Sequence, residues 1–355
     1  MLNPKSILLY LLLLVGFTAT AQYTEVINSN RPGVSRSAFS VGKNVVQFEA
    51  GPYIVKEEHT PLKNEASGFG VDFAVRYGLV WEQLELNVEG TYQNDTFTDN
   101  RSASFPSETD RANFRYLTIG AKYLVYDPYK NRGEEKPNLY SYHANRKFKW
   151  SYLIPAVAVY VGAHYDAENN TYIPYTNPFT RPSYEGGFTP KVMVATQHNF
   201  NSGWVLVMNF AKDRIGSDYS DFQYIVTLTK AINTQWVLFG ETQGIKSDYY
   251  ADNLFRFGGA YLWSKNFQLD TALTFNTKDT PSVFSVNFGA SYRLDFHKDP
   301  EADQDNGTDV LEEYERKANK KKKKKKKKDD DSDDNPEESG KRKKESQIID
   351  FDDED

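Results

Sequence analysis

The sequence predicts an all-β protein: an antiparallel up-and-down transmembrane β-barrel of about twelve strands, followed by a disordered, charged C-terminal tail. Three observations predict it. An export signal opens the chain, residues 44–296 repeat an amphipathic pattern with a period of two, and the connections alternate in length between the two ends. Composition narrows the field further. The 355 residues contain no Cys, which excludes disulfide scaffolds, Cys-ligated zinc and thiol catalysis. A mean hydropathy of −0.67 is too low for a multi-helix membrane protein, whose spans each need about 20 apolar residues.

Lys5 supplies a positive n-region, Ile7–Phe17 a Leu-rich apolar stretch, and Ala19-Thr20-Ala21 a small-residue cleavage motif. Residues 1–21 therefore read as a secretory signal peptide, and residues 22–43 as an N-terminal periplasmic or luminal segment. In the first strand Val46, Phe48, Ala50 and Ile54 alternate with Gln47, Glu49, Gly51 and Tyr53. The second sets Phe69, Val71, Phe73, Val75, Tyr77 and Leu79 against Gly70, Asp72, Ala74, Arg76 and Gly78. The third sets Leu84, Leu86, Val88 and Tyr92 against Glu85, Asn87, Glu89 and Thr91. The fourth opposes Leu117, Ile119, Ala121, Tyr123 and Val125 to Thr118, Gly120 and Lys122. The fifth opposes Val157, Val159, Val161 and Tyr165 to Ala156, Ala158, Tyr160, Gly162 and His164. Six more begin near Phe188, Trp204, Phe222, Trp236, Leu254 and Phe267, with facing least defined at Trp236 and Leu254. The last places Phe284, Val286, Phe288, Ala290, Tyr292, Leu294 and Phe296 opposite Ser285, Asn287, Gly289, Ser291, Arg293 and Asp295.

Strands of roughly ten to fifteen residues are expected. Connections at one end cover 57–67, 94–111, 166–186, 212–219, 244–251 and 278–280. At the other end they are short turns near Trp81, 201–203, 232–233 and Lys265, with a basic, aromatic exception at 127–148. Short turns belong in the periplasm and long loops outside, which puts both termini in the periplasm of a Gram-negative-type envelope. The polar faces carry Glu49, Asp72, Arg76, Glu85, Glu89, Lys122, Lys191, Arg256, Asp270 and Arg293. A dry core would penalise these by several kcal/mol per unpaired ion, whereas a watery lumen accepts them. The aromatic faces then meet outer-membrane lipid, and the sheet must close to satisfy its backbone. Tyr77, Trp81, Tyr92, Tyr126, Trp150, Tyr165, Trp204, Trp236, Tyr261 and Trp263 at strand ends suit interfacial girdles.

Gly289, Tyr292 and Phe296 form a run with alternate aromatics that resembles the β-signal presented by outer-membrane barrels to their insertion machinery. The chain departs from that pattern by continuing 59 residues further. Asn30-Arg31-Pro32-Gly33, then Gly42, Gln47, Glu49 and Gly51, together with Lys122-Tyr123-Leu124-Val125-Tyr126-Asp127-Pro128, resemble a family of outer-membrane barrels labelled for the meta-pathway of phenol degradation, or simply as transporters. The resemblance covers most of 28–296 in layout and implies small hydrophobic or aromatic solutes.

Arg31, Pro32 and Gly33 are candidates for a hatch folded into the lumen, with Arg31 pairing to inward carboxylates such as Glu49 or Glu89; a rigid turn that starts the barrel is the alternative. Barrel closure brings the last strand beside the first, so Glu49, Asp72, Arg76, Glu85, Glu89 and Arg293 are expected to share one luminal wall. They form either a charged constriction or a ladder of cross-strand ion pairs. No nucleophile elbow and no metal-ligand spacing among the five His point to an enzyme, a metal or a cofactor. The body, with 27 basic and 28 acidic residues, has no nucleic-acid footprint. Residues 297–355 hold 16 basic and 21 acidic residues, including Lys320–Lys328. They read as a solvated polyampholyte or as a periplasmic arm for a protein or cell-wall partner. The expected function is passive passage of small solutes. The alternative is a non-conducting barrel in an assembly or secretion complex that uses the 127–148 connection and the tail.

Overall fold

The computed structural model describes residues 26–102, 105–129, 153–167, 172, 186–200 and 203–297. The chain divides into two units, Met1–His297 and Lys298–Asp355, and the second falls wholly outside the described residues. The signal peptide, Trp150, most of the 127–148 connection and the charged tail lie outside them too.

Twelve strands form among the described residues: β1 (Val45–His59), β2 (Asn64–Gly78), β3 (Leu84–Asp99), β4 (Ser107–Tyr126), β5 (Ala156–Asp166), β6 (Gly187–Phe200), β7 (Trp204–Asp213), β8 (Asp221–Ala231), β9 (Trp236–Ser247), β10 (Ala251–Ser264), β11 (Phe267–Asn276) and β12 (Ser282–Asp295). Each pairs antiparallel with its sequence neighbours. β1 pairs with β12 from Val45↔Asp295 to Glu58↔Ser282, which closes the barrel. The dyad pattern is the cause: one parity of each strand is apolar and the other polar, and closure leaves no unpaired edge.

The two faces separate as that pattern requires. Outward Ile54, Phe69 and Phe188 are 67%, 58% and 70% exposed, whereas inward Gln47 and Glu85 are fully buried. An exterior this apolar is matched to lipid rather than water. Trp81, Tyr126, Trp204, Trp236 and Trp263 are exposed at the end of the barrel where β1 starts and β12 stops. Tyr165 sits at the opposite rim, its ring 5.0 Å from that of Phe188.

Three expectations need correction. β4 is 20 residues long, beyond the expected range. The 94–111 connection shrinks to 100–106 and the 57–67 connection to 60–63, because the hairpins run on past the apolar band. The interior is also less uniformly polar than the alternation predicts: Val45, Tyr53, Val55, Tyr160, Met193, Ile225, Phe239 and Ile245 are buried inside. β9 thus turns Phe239 and Ile245 inward and exposes Trp236 and Leu238, which settles its facing. A bulge opposite Thr91 and Tyr92 makes Arg115 the extra residue of β4, so that Arg115 and Tyr116 both line the lumen.

Candidate functional site

The lumen is crossed by the chain that precedes β1. Ile27 N–H donates to the Lys265 carbonyl, and Asn44 N–H to the Gly78 carbonyl, so the crossing segment starts and ends at the terminus-bearing rim. Between them its backbone is held by side chains from the wall. Asn28 C=O accepts from Arg76 Nη1 (2.7 Å) and Gln47 Nε2 (3.2 Å). The amides of Val34 and Ser35 donate to Glu241 on β9 at 3.1 and 3.2 Å. Asn209 on β7 accepts from Arg36 N–H (2.6 Å) and donates to its carbonyl (2.8 Å). Gln197 on β6 accepts from Ser37 Oγ, and Lys122 on β4 donates to the carbonyls of Ser37 and Phe39 at 2.9 and 2.8 Å. Inward polar residues therefore satisfy a backbone that has no sheet partner of its own.

Packing makes room for it. Ala156, Ala158, Ala195 and Ala211 on β5–β7 are buried inward and form one apolar cluster with Ala38, Leu124, Tyr160 and Met193, with Phe39 packed against them. A wall of small residues leaves room for Ala38 and Phe39 of the crossing segment against it.

The sequence-predicted residues are placed as follows. Arg31 pairs with an inward carboxylate as expected, but that partner is Asp270 on β11, at 3.2 Å, and not Glu49 or Glu89. Glu49 instead accepts from the Asn30 amide at 3.3 Å, and Glu89 pairs with Arg36. Pro32 follows Arg31 through a cis peptide bond, and Gly33 lies against the Glu241 carboxylate. The six luminal candidates stand on four adjacent strands, β12, β1, β2 and β3, and so share one wall as expected, but they do not form one cluster on it. Glu49, Arg76 and Glu85 cluster, with Arg76 3.2 and 2.9 Å from the two carboxylates and Lys122 3.2 Å from Glu85. Asp72 accepts from Thr91 (2.6 Å) and Asn287 (3.3 Å), and Arg293 pairs with Asp295 at 3.2 Å. The cause is height: inward residues four or more apart on one strand stand at different levels of the lumen. Tyr292 and Phe296 point to the exterior, while Gly289 faces inward beneath Arg31.

Above the segment, towards the long hairpins, lies an open cavity of about 700 Å³. Arg31, Gly33, Val34 and Arg36 form its floor. Its walls include Tyr53, Val55, Ala66, Tyr116, Met193, Ile225, Ile245, Leu254 and Val283, and Tyr249, Tyr250 and Pro281 stand at its mouth. Tyr172, from the β5–β6 connection, reaches in and donates to the Arg111 carbonyl at 3.1 Å.

Two polar groups at this cavity are assembled from partners that sequence reasoning does not bring together. In one, His164 contacts Asp166 (3.1 Å) and Asp213 (3.3 Å), Lys191 pairs with Asp213 (3.1 Å), and Arg214 pairs with Asp166 (2.9 Å). In the other, Arg111 pairs with Asp95 (2.7 Å) and Arg115 with Glu57 (2.9 Å). Parity places His164 and Lys191 inward, but Glu57, Asp95, Arg111, Asp166, Asp213 and Arg214 fall in segments that read as connections, where parity gives no signal. Among the described residues no group of three or more acidic or His side chains is placed to hold a metal.

A model of the family described as "Putative MetA-pathway of phenol degradation" matches residues 29–294. No curated protein matches the sequence. Solved structures that resemble the barrel include an outer membrane channel from Pseudomonas putida F1, at 10% identity and TM-score 0.47 over 76% of this chain and 100% of that one. The translocator domain of the autotransporter NalP from Neisseria meningitidis matches at 11% identity and TM-score 0.40, over 75% and 90% of the two chains. The Pseudomonas putida toluene transporter TodX matches at 10% identity and TM-score 0.39, over 79% and 96%.

Proposed function

Because the chain belongs to the family described as "Putative MetA-pathway of phenol degradation", we propose that it is an outer-membrane channel for passive passage of small, largely hydrophobic solutes. The observation that carries this reading is the cavity: Tyr53, Tyr116, Ile225 and Ile245 offer apolar surface among charged Asp72, Arg115, Lys191 and Arg256, above a floor made by the N-terminal segment. The apolar patches of such a vestibule bind hydrophobic solutes weakly, as a passive path requires. The segment is then a hatch, held by hydrogen bonds and ion pairs to side chains of the wall rather than by strand pairing. On this reading both termini are periplasmic, and residues 297–355 form an arm there for a periplasmic protein or cell-wall partner.

The test is removal of the hatch. Deleting Gln22–Ser37 is expected to raise single-channel conductance in planar bilayers. It should also speed uptake of small aromatics into proteoliposomes more than that of sugars of similar size. An unchanged conductance counts against the hatch, and equal gains for both solute classes count against hydrophobic selectivity.

A further inference from the structure

A barrel is closed where its first and last strands meet, and here that seam is interrupted. Pairing of β1 with β12 passes through Ala50↔Ala290 and resumes at Tyr53↔Asn287. Between them Gly51 stands opposite Gly289, and Pro52 opposite Phe288, without ladder pairing. Pro52 has no N–H to donate, and the glycines supply no side chains for cross-strand packing. The Phe288 carbonyl accepts instead from Arg31 Nη2 at 3.2 Å.

The rest of the Arg31 side chain fits the same place. Asp270 is the β11 partner of Gly289, so Gly51, Gly289 and Asp270 form one row of facing positions across three strands. Arg31 Nε donates to Asp270 Oδ2 at 3.3 Å, and Nη2 lies 3.2 Å from Oδ1. A Cβ on either glycine would collide with the guanidinium. The side chain of Asp270 is fully buried, and a buried carboxylate without a partner is costly. A flat glycine floor, a free carbonyl and a carboxylate at its end suit a planar fork of donors, which a lysine ammonium does not supply.

We propose that this row is a guanidinium site that locks the barrel seam, and that Arg31 fills it. Seating of the N-terminal segment and firm closure of β1 on β12 are then one coupled event. The inference concerns the wall and stands whether or not solutes pass through the lumen.

Backbone amide exchange, read by mass spectrometry on the full chain in detergent micelles, tests it. In Arg31→Ala, peptides of β1 and β12 are expected to exchange at least about tenfold faster than in the parent, as loss of a charged hydrogen bond implies. Peptides of β6 and β7 should be unchanged. Millimolar ethylguanidinium should slow seam exchange again, whereas sodium chloride at the same ionic strength should not. Gly289→Ala, which fills the floor and keeps Arg31, should reproduce the loosening and resist the rescue; it also serves if Arg31→Ala does not fold. Seam exchange within about twofold of the parent in either folded variant overturns the lock, as does acceleration spread evenly over all strands. Loosening of Arg31→Ala without rescue overturns the guanidinium site.

Discussion

Arg76 is a charged side chain almost wholly withdrawn from water. It lies between Glu49 and Glu85, and Lys122 approaches Glu85 from the adjacent strand β4. All four side chains are almost wholly buried. Charges withdrawn from water are tolerable only in pairs, and removing one partner leaves the other stranded. Arg76 also donates to the Asn28 carbonyl, so it ties the wall to the crossing segment. Arg76→Met is expected to cost about 3 kcal/mol in reversible urea unfolding from detergent. The double variant Arg76→Met, Glu49→Gln should recover much of that loss, because the stranded charge is gone while Glu85 keeps Lys122. A cost for the single variant below about 1 kcal/mol would mean that water already screens the cluster. The sequence marks Glu49, Arg76 and Glu85 as inward, since parity alone decides that. It does not mark Arg36 or Glu241, because what selects them is the path of a segment with no periodicity.

The element that shapes this path is the alanine wall of β5–β7. Inward Ala158 and Ala195 have no solvent exposure and pack in the cluster that receives Ala38 and Phe39. Adding three carbons to either position overfills a space with no slack. Ala195→Leu is expected to evict the segment and raise single-channel conductance, while Val194→Leu, on the lipid face of the same strand, should leave it unchanged. Equal conductance in both variants would show that the wall does not hold the segment. The strands themselves were legible because lipid and lumen impose opposite chemistry on alternate residues. That legibility fails where the contrast fails. Asn94–Asp99 and Ser107–Arg111 continue as strands with polar residues on both faces, since both face water above the apolar band, and they read as loop. β9 is blurred for the converse reason: Phe239 and Ile245 are apolar on the inner face.

At the scale of the whole barrel, pairings depend on closure, which sequence order conceals. Arg31 meets a carboxylate 239 residues away, on a strand two places across the seam from β1. No local spacing encodes that contact; it follows from closing twelve strands at one register. Orientation in the membrane also belongs to the whole. The exposed Trp residues collect at the end that holds the start of β1 and the stop of β12, and the long hairpins rise from the other. Turns at an assembling barrel's trailing end are short, and hairpins that cross first tolerate length. The β3–β4 connection should therefore lie outside the cell and the β8–β9 turn in the periplasm. The chain has no Cys, so a single introduced thiol reports its own side without interference. Phe105 and Ile232 are 80% and 59% exposed in these two connections, so either thiol is reachable. On intact cells a membrane-impermeant maleimide is expected to label Phe105→Cys and to spare Ile232→Cys until the outer membrane is permeabilised. The reverse pattern would invert the barrel and place the cavity mouth in the periplasm, which would make the hatch an outward-facing gate.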